Sequence, residues 1–427
     1  MRKKYSDILK SEEKIFNIVK NAHPDYKDAF NNISDYVISP VVFMYTCWII
    51  QQAEKTGIKR IYFFSRDGYL MYRTAISICA KRNNGIECSY FYCSRYSLRM
   101  AAYWLKDDSA YDRLFYNAYR MSAAIMLQRA EFSENERKKV YADIGYCDNE
   151  NMMMGRKEFA EFCDKVKHSE VFNDILYARS YTAYEKFCWY AKQEKITEYK
   201  DVAVVDLGWN GSMQYTLKKI LNSMGCRTVL HGYYLGLLSV PPKCAGNIYR
   251  CWLFGKYNKV IRSWFSHNLL ECLCSAPHGM TTGYDYDEGT VSAVFSENEN
   301  QPEPVKIIEN TLGMFENIND TDYSESYKKA ALKLLYTLMV NPAYDEVVVL
   351  NRYSFCDDVA EQYHGTMAEK AQKSQLKKEI LPFKLFYRNT SDGLYWYYGS
   401  VVASKYKTGG LYKFGYTLTR FIISGFK

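Results

Sequence analysis

No Cys-x-x-Cys pair occurs among the 13 cysteines, and their odd number does not suit a set of internal disulfides. A zinc site and a disulfide scaffold are therefore not expected, and a reducing cytosol is the expected compartment. The closest pair, Cys272 and Cys274, would face opposite ways on a strand. Met1-Arg-Lys-Lys-Tyr5 leads into a charged amphipathic pattern with no apolar h-region, so a secretory leader is not expected. The longest early apolar run, Val37 to Gln51, is broken by Ser39 and Pro40 and is shorter than a bilayer requires, which predicts a buried helix. No loop follows a Walker or GxSxG pattern. From Tyr395 onward there is no acidic residue.

What is present is an ordinary globular composition over 427 residues, 48 % hydrophobic and 24 % charged, enough for one large or two medium domains. Tyrosine is abundant at 41, which suits stacking and interfaces but also arises from compositional drift in a low-GC genome. The net charge of +8 suits an anionic substrate or an acidic membrane surface and selects neither. No nucleic-acid partner is expected.

One stretch organises the chain. Ile61 to Phe64 reads as a buried strand, Ser65-Arg66-Asp67-Gly68 as a tight polar turn, and Tyr69 to about Ala80 as a helix. The same design returns at Val202 to Val205, where Asp206 closes a strand and Gly208, Asn210, Gly211 and Ser212 lead into a helix from Met213 to Met224. Ligands of open α/β sheets sit beyond the carboxyl ends of such strands. A further strand, Cys88 to Cys93, ends in Ser94-Arg95, and Thr228 to Leu238 reads as another.

The fold class expected is α/β, a Rossmann-like parallel sheet with an inserted helical subdomain and a mainly helical C-terminal region. Residues 1–57 are read as helices packing on the core, with a helix from Pro40 to Lys55 ending at Gly57. Residues 58–297 are read as the α/β core, with a lid-like insertion at about 100–195 containing helices over Tyr111 to Arg129, Glu134 to Val140 and Glu170 to Gln193. Tyr141 to Tyr146 is read as a loop, Pro241-Pro242 as a break, Asn268 to Cys274 as a helix, and Tyr284 to Glu297 as a hairpin. Asn298 to Pro304 is a polar boundary before the region 298–427. Its basic, aromatic end carries Lys405, Lys407, Lys413, Arg420 and Lys427. It is read as packing on the main domain, with peripheral contact at the inner face of a membrane as the alternative.

The stretch Ile-Tyr-Phe-Phe-Ser-Arg-Asp-Gly-Tyr-Leu resembles the first motif of haloacid dehalogenase-like (HAD) phosphohydrolases, Asp-x-Asp-Gly-x-Leu after a strand. With the later Asp-Leu-Gly-Trp-x-Gly-Ser and Glu-x-Leu-x-Ser-Ala-Pro-His-Gly it is similar to predicted HAD-type hydrolases of bacterial surface-polysaccharide gene clusters, over about residues 35–285. That resemblance implies a HAD-like core, Mg²⁺, and a phosphorylated or nucleotide-linked sugar as substrate. It implies Asp67 as acid/base, Ser94 as the hydroxyl after the next strand, and Asp206 as the distal metal carboxylate, with Lys192 or Lys218 as the lysine. One position departs: Ser65 stands where the family has its nucleophilic Asp.

Three readings follow. In a phosphoryl- or sugar-handling enzyme, Asp67 and Asp206 are bases or metal ligands. Ser65, Ser94, Ser212 and the NH groups at Gly68 and Gly211 cradle phosphate, and Arg66 and Arg95 clamp it. Ser65 as a nucleophile needs a base, for which His278, with Glu271 orienting it, is the candidate. In a glycosyltransferase the same cleft holds a nucleotide-sugar against Trp209, Tyr233 and Tyr234, with Asn210 in the loop. In a non-catalytic scaffold, Asp67-Gly68 is a turn and helix cap, and the loop around Gly211 is an ordinary tight turn.

Overall fold

The computed structural model describes the chain apart from residues 1, 23–27, 107–110, 112–113, 116–120, 242–245, 298–301, 317, 353, 357–363, 387–393 and 425–427. The expectations over 111–129, 241–242 and 298–304 fall partly outside the described residues, and Lys427 wholly.

Five strands, β1 (Arg60–Phe64), β2 (Glu87–Phe91), β3 (Asp201–Trp209), β4 (Val229–Leu237) and β5 (Asn247–Phe254), form one sheet in the order β2-β1-β3-β4-β5. Every neighbouring pair is parallel. Parallel pairing needs crossovers, so helices cover both faces, and period-two side-chain alternation feeds two cores. Ile61 and Phe63 enter one, with the helices Ser39–Thr56, Tyr69–Arg82 and Glu325–Val340. Tyr62 and Phe64 enter the other, with Arg95–Tyr103, Glu170–Gln193 and Ser212–Ser223.

The run containing Val37 to Gln51 is part of Ala29–Thr56, the described helix long and apolar enough to cross a bilayer. Its most apolar window is 94 % buried inside the fold, so it acts as a core helix. It stops at Gly57, whose φ of +70° gives the left-handed cap that glycine adopts without strain. The segment between β2 and β3 has its own core, in which Phe132 and Phe172 stack and Leu127, Val140, Phe162 and Val166 are buried. Thr281–Asp287 (β6) and Thr290–Phe295 (β7) form the hairpin, turning on Glu288 and Gly289, both at positive φ.

Two readings need correction, and one strand goes unforeseen. Asp206 does not close its strand: β3 runs on to Trp209, because β4 pairs with it up to Leu237. Tyr141–Ile144 is the last turn of the helix Glu134–Ile144, closed by Gly145 at φ +64°; before it, Glu134, Lys138 and Lys139 face solvent while Arg137 is buried against Glu150. The helix read over Asn268 to Cys274 is present as His267–Cys274, and both Cys272 and Cys274 on it are buried. β5 is not foreseen from the sequence, since an edge strand buried only at its last three residues lacks the continuous apolar signature of a central one.

Among the described residues the cysteines are free thiols, the Cys79 and Cys88 sulfurs lying 3.9 Å apart.

Candidate active site

The chain order reverses between β1 and β3: β2 is laid on one side of β1, and the chain then crosses to start β3 on the other. A crevice opens at such a reversal, beyond the carboxyl ends of the strands. The register Phe63↔Val205 brings Asp206 level with the end of β1. There the chain folds back tightly, with Gly68 N–H donating to Phe64 O at 2.8 Å and Tyr69 N–H to Arg66 O at 3.1 Å. Only glycine fits at 68, because a Cβ would stand 2.4 Å from Phe64 O. Asp67 is thereby turned toward β3.

Asp67 and Asp206 therefore share one electrostatic neighbourhood. Burial, then the Asp67 charge, then Glu271 push the Asp206 carboxyl well above its usual range, with Arg95 and the Leu207 backbone pulling the other way. Burial lifts Asp67 to about 6 against the pull of Arg66 and Arg95. Both aspartates keep some accessible surface, and Arg95 is exposed at the rim. Two carboxyl groups that interact this way titrate as a coupled unit rather than one by one.

The other residues singled out in the sequence divide clearly. Ser65 Oγ donates to Cys93 O at 2.7 Å, accepts from Cys93 N–H at 3.1 Å, and lies 3.3 Å from Thr281 Oγ1, so it braces the turn. Ser94 caps the helix Arg95–Tyr103 through Ser97 N–H at 3.0 Å and donates to Thr281 O at 2.6 Å. His278 uses both ring nitrogens, Nε2 with Tyr90 Oη and Nδ1 with Gly279 O, each at 2.8 Å, and so is not set to activate Ser65. Burial lowers its pKa. Glu271 accepts from the Trp209 indole N–H and stands beside Asp206 rather than orienting His278.

Trp209, Tyr233 and Tyr234 are buried, with 6 %, 0 % and 1 % of their surface exposed, so their faces are closed to a stacked ligand. Trp209 packs on Phe265 and His267, and holds a backbone φ of +80°, a conformation uncommon outside glycine. Asn210, Gly211 and Ser212 lie past the end of β3, beyond the aspartate pair. Asn210 Oδ1 accepts from Ser239 Oγ at 2.8 Å, and Gly211 at φ +59° caps the next helix. Neither lysine reaches the crevice. Lys218 Nζ donates to Thr228 O, just before β4 at the amino end of the strands, and Lys192 lies exposed near the end of the helix that precedes β3.

Sequence reasoning missed an aromatic wall. Tyr69, Tyr90, Tyr92 and Phe295 surround His278 with ring centroids 4.8–6.4 Å away, and Tyr69 and Tyr92 remain partly exposed. The signal was legible: in Cys-Ser-Tyr-Phe-Tyr-Cys the two tyrosines fall two apart, on one face of the strand. Thr281 was also missed; its hydroxyl and carbonyl tie β6 to the tips of β1 and β2. Tyr45, from the helix Ser39–Thr56, donates to both Asp206 O (3.1 Å) and Tyr233 O (2.8 Å). Tyr45→Phe is expected to cost about 1–2 kcal/mol, since two buried carbonyls lose a donor. Urea unfolding checks this, and an unchanged midpoint would refute the bracing role.

No protein-family model matches the chain, and no curated protein is significantly similar to it. Among the described residues no three His, Cys, Asp or Glu side chains group so as to hold a metal unaided. The pair Asp67 and Asp206 does fit Mg²⁺ in its donor chemistry, because that ion commonly takes one or two carboxylates and completes its shell with water and substrate phosphate.

Proposed function

We propose that this protein is an enzyme of HAD-like build that hydrolyses or transfers the phosphoryl group of a phosphorylated sugar. The observation supporting the reading is the coupled pair Asp67 and Asp206 at the switch point of a parallel sheet, flanked by Arg66 and Arg95. The sugar and its place in surface-glycan assembly rest on the sequence resemblance, and the half-exposed Tyr69 and Tyr92 rings suit a sugar face.

In this reading Arg66 and Arg95 hold the phosphate. The ionised member of the pair takes a proton from the attacking water or acceptor hydroxyl as the new O–P bond forms. Its protonated partner gives a proton to the sugar oxygen as the old P–O bond breaks, so charge and protons balance. Carboxyls raised by burial and mutual charge, one of them to about 6, are suited to both tasks. Mg²⁺, held by the ionised member of the pair with water and substrate phosphate completing its shell, would offset charge on the phosphoryl oxygens. The hydroxyl of Ser65 positions the turn and forms no covalent intermediate.

The engaged hydroxyl of Ser65 favours a second reading, a non-catalytic scaffold. Purified protein with a panel of sugar phosphates and nucleotide-sugars, in Mg²⁺ and in EDTA, separates the two. The expected result is Mg²⁺-dependent release of phosphate from a sugar phosphate. No turnover on any member, together with no calorimetric Mg²⁺ binding, would replace the enzyme by the scaffold.

A further inference from the structure

The helix Gly409–Ile423 leaves one apolar face uncovered. Leu411 (72 % exposed), Phe414 (68 %), Leu418, Phe421 and Ile422 recur at helical spacing along its outer side. Its inner side is committed: Tyr416 stacks on Tyr397 at 3.9 Å, and Thr419 Oγ1 accepts from Leu381 N–H at 2.9 Å. That bond sets the short helix Phe383–Phe386 alongside, which adds exposed Phe383, Leu385 and Phe386 (81 %). The helix Lys259–Trp264 packs along the same element and brings exposed Tyr257 (83 %) and Val260. Three adjoining segments thus expose apolar and aromatic side chains together, where an ordinary monomer surface scatters them singly.

The two longer segments that form this face carry charge of one sign. Residues 255–267 and 394–424 contain no Asp or Glu, and Lys256, Lys259, Lys405 and Lys407 stand exposed at the rim. Lys413 and Arg420 turn inward, to Val340 O and Phe265 O, and anchor the helix. The acid nearest in sequence to Phe383–Phe386, Glu379, is paired with Lys384 at 2.6 Å. A two-fold dimer through this face would set the rim lysines against their own copies. An amphipathic face ringed by lysine instead matches the boundary of a bilayer carrying negative headgroups.

We propose that this face docks the protein on an anionic phospholipid surface. β5 runs straight into Lys256–Trp264, so the face lies at the same sheet edge as the aspartate crevice, two strands away. Arg420 and Arg95 both act on His267, which packs on Trp209. Docking would hold the crevice close to the headgroups.

The test is co-sedimentation of the full chain with vesicles of phosphatidylcholine alone, and of phosphatidylcholine mixed equally with phosphatidylglycerol. Turnover is not read, so the result is independent of the proposed reaction. The mixed vesicles are expected to bind at least about tenfold more tightly, with binding weakening as salt rises. Phe414→Glu with Leu418→Glu should abolish binding. Lys259→Gln with Lys407→Gln should weaken it more than about tenfold, since each surface lysine is worth roughly fivefold. All four side chains are solvent-facing or at the rim, and melting curves confirm that the variants fold. Equal binding to both vesicle types, or none, overturns the proposal. So does a wild-type dimer in sedimentation velocity that Phe414→Glu disperses without any vesicle binding.

Discussion

Asp67→Asn is expected to make the protein more stable at pH 8 and inactive. In the folded chain burial lifts this carboxyl from 3.8 to about 6, so the native state holds the proton more tightly than the unfolded one. A raised folded pKa contributes stability that is complete below the unfolded value and is lost as pH rises through about 6. At pH 8 the wild type therefore bears the whole cost of an ionised, crowded carboxylate. A rise of that size corresponds to about 3 kcal/mol at most, since Asp67 keeps some contact with water. The amide removes that cost, and Asp206 can accept from it. Urea unfolding at pH 5 and pH 8 should show wild-type stability falling between the two, and the variant falling less, since burial still raises Asp206 there. The same pH dependence in both proteins would mean that burial does not raise Asp67 in the folded chain. Turnover of the substrate found for the wild type should fall about a thousandfold or more, because proton transfer by a positioned group supplies roughly that factor. A stability gain joined to loss of function identifies a site that folding alone would not have built.

The second large effect lies two residues further along β3 than Asp206. Gly208→Ala is expected to destabilise the fold by about 3 kcal/mol or more. The residue sits at φ +127°, where a side chain is strained, and an added Cβ would stand 2.1 Å from Gly236 O of the neighbouring strand. Relief requires β3 and β4 to part, which would undo the pairing that carries β3 past Asp206. Gly283→Ala in the exposed hairpin is the control, having no atom within 4 Å of its added methyl and no left-handed backbone. It should change stability by less than about 0.5 kcal/mol. Equal midpoints for the two variants in chemical denaturation would dismiss the close approach.

Much of the framework was legible because it is local. Ile61 to Phe64 and Val202 to Val205 are unbroken apolar runs, and a central parallel strand has no other way to look. The helix end at Gly57 and the helix Glu170–Gln193 follow from a cap and a long period. The edge strand β5 escaped because only its last three residues are buried. Tyr141–Ile144 reads as a loop when charge is weighed as a loop signal, yet most of the charge there marks the wet face of a helix.

For the candidate site, the sequence singled out Asp67 and Asp206 and the arginines Arg66 and Arg95, and the structure brings the two aspartates into one electrostatic neighbourhood. Sequence could not assign Ser65, Ser94 and His278, because a hydroxyl or imidazole is free or engaged according to partners far along the chain. Thr281, more than 180 residues beyond the two serines, engages both. Strand periodicity and turn chemistry, acting over a few residues, determined the α/β frame and the acid-bearing turn at Asp67. Which strands became neighbours was decided only by tertiary packing. That choice set Asp67 beside Asp206, closed Trp209 and Tyr233 to ligands and left one face of the last helix bare, because charge coupling and burial depend on distances in space.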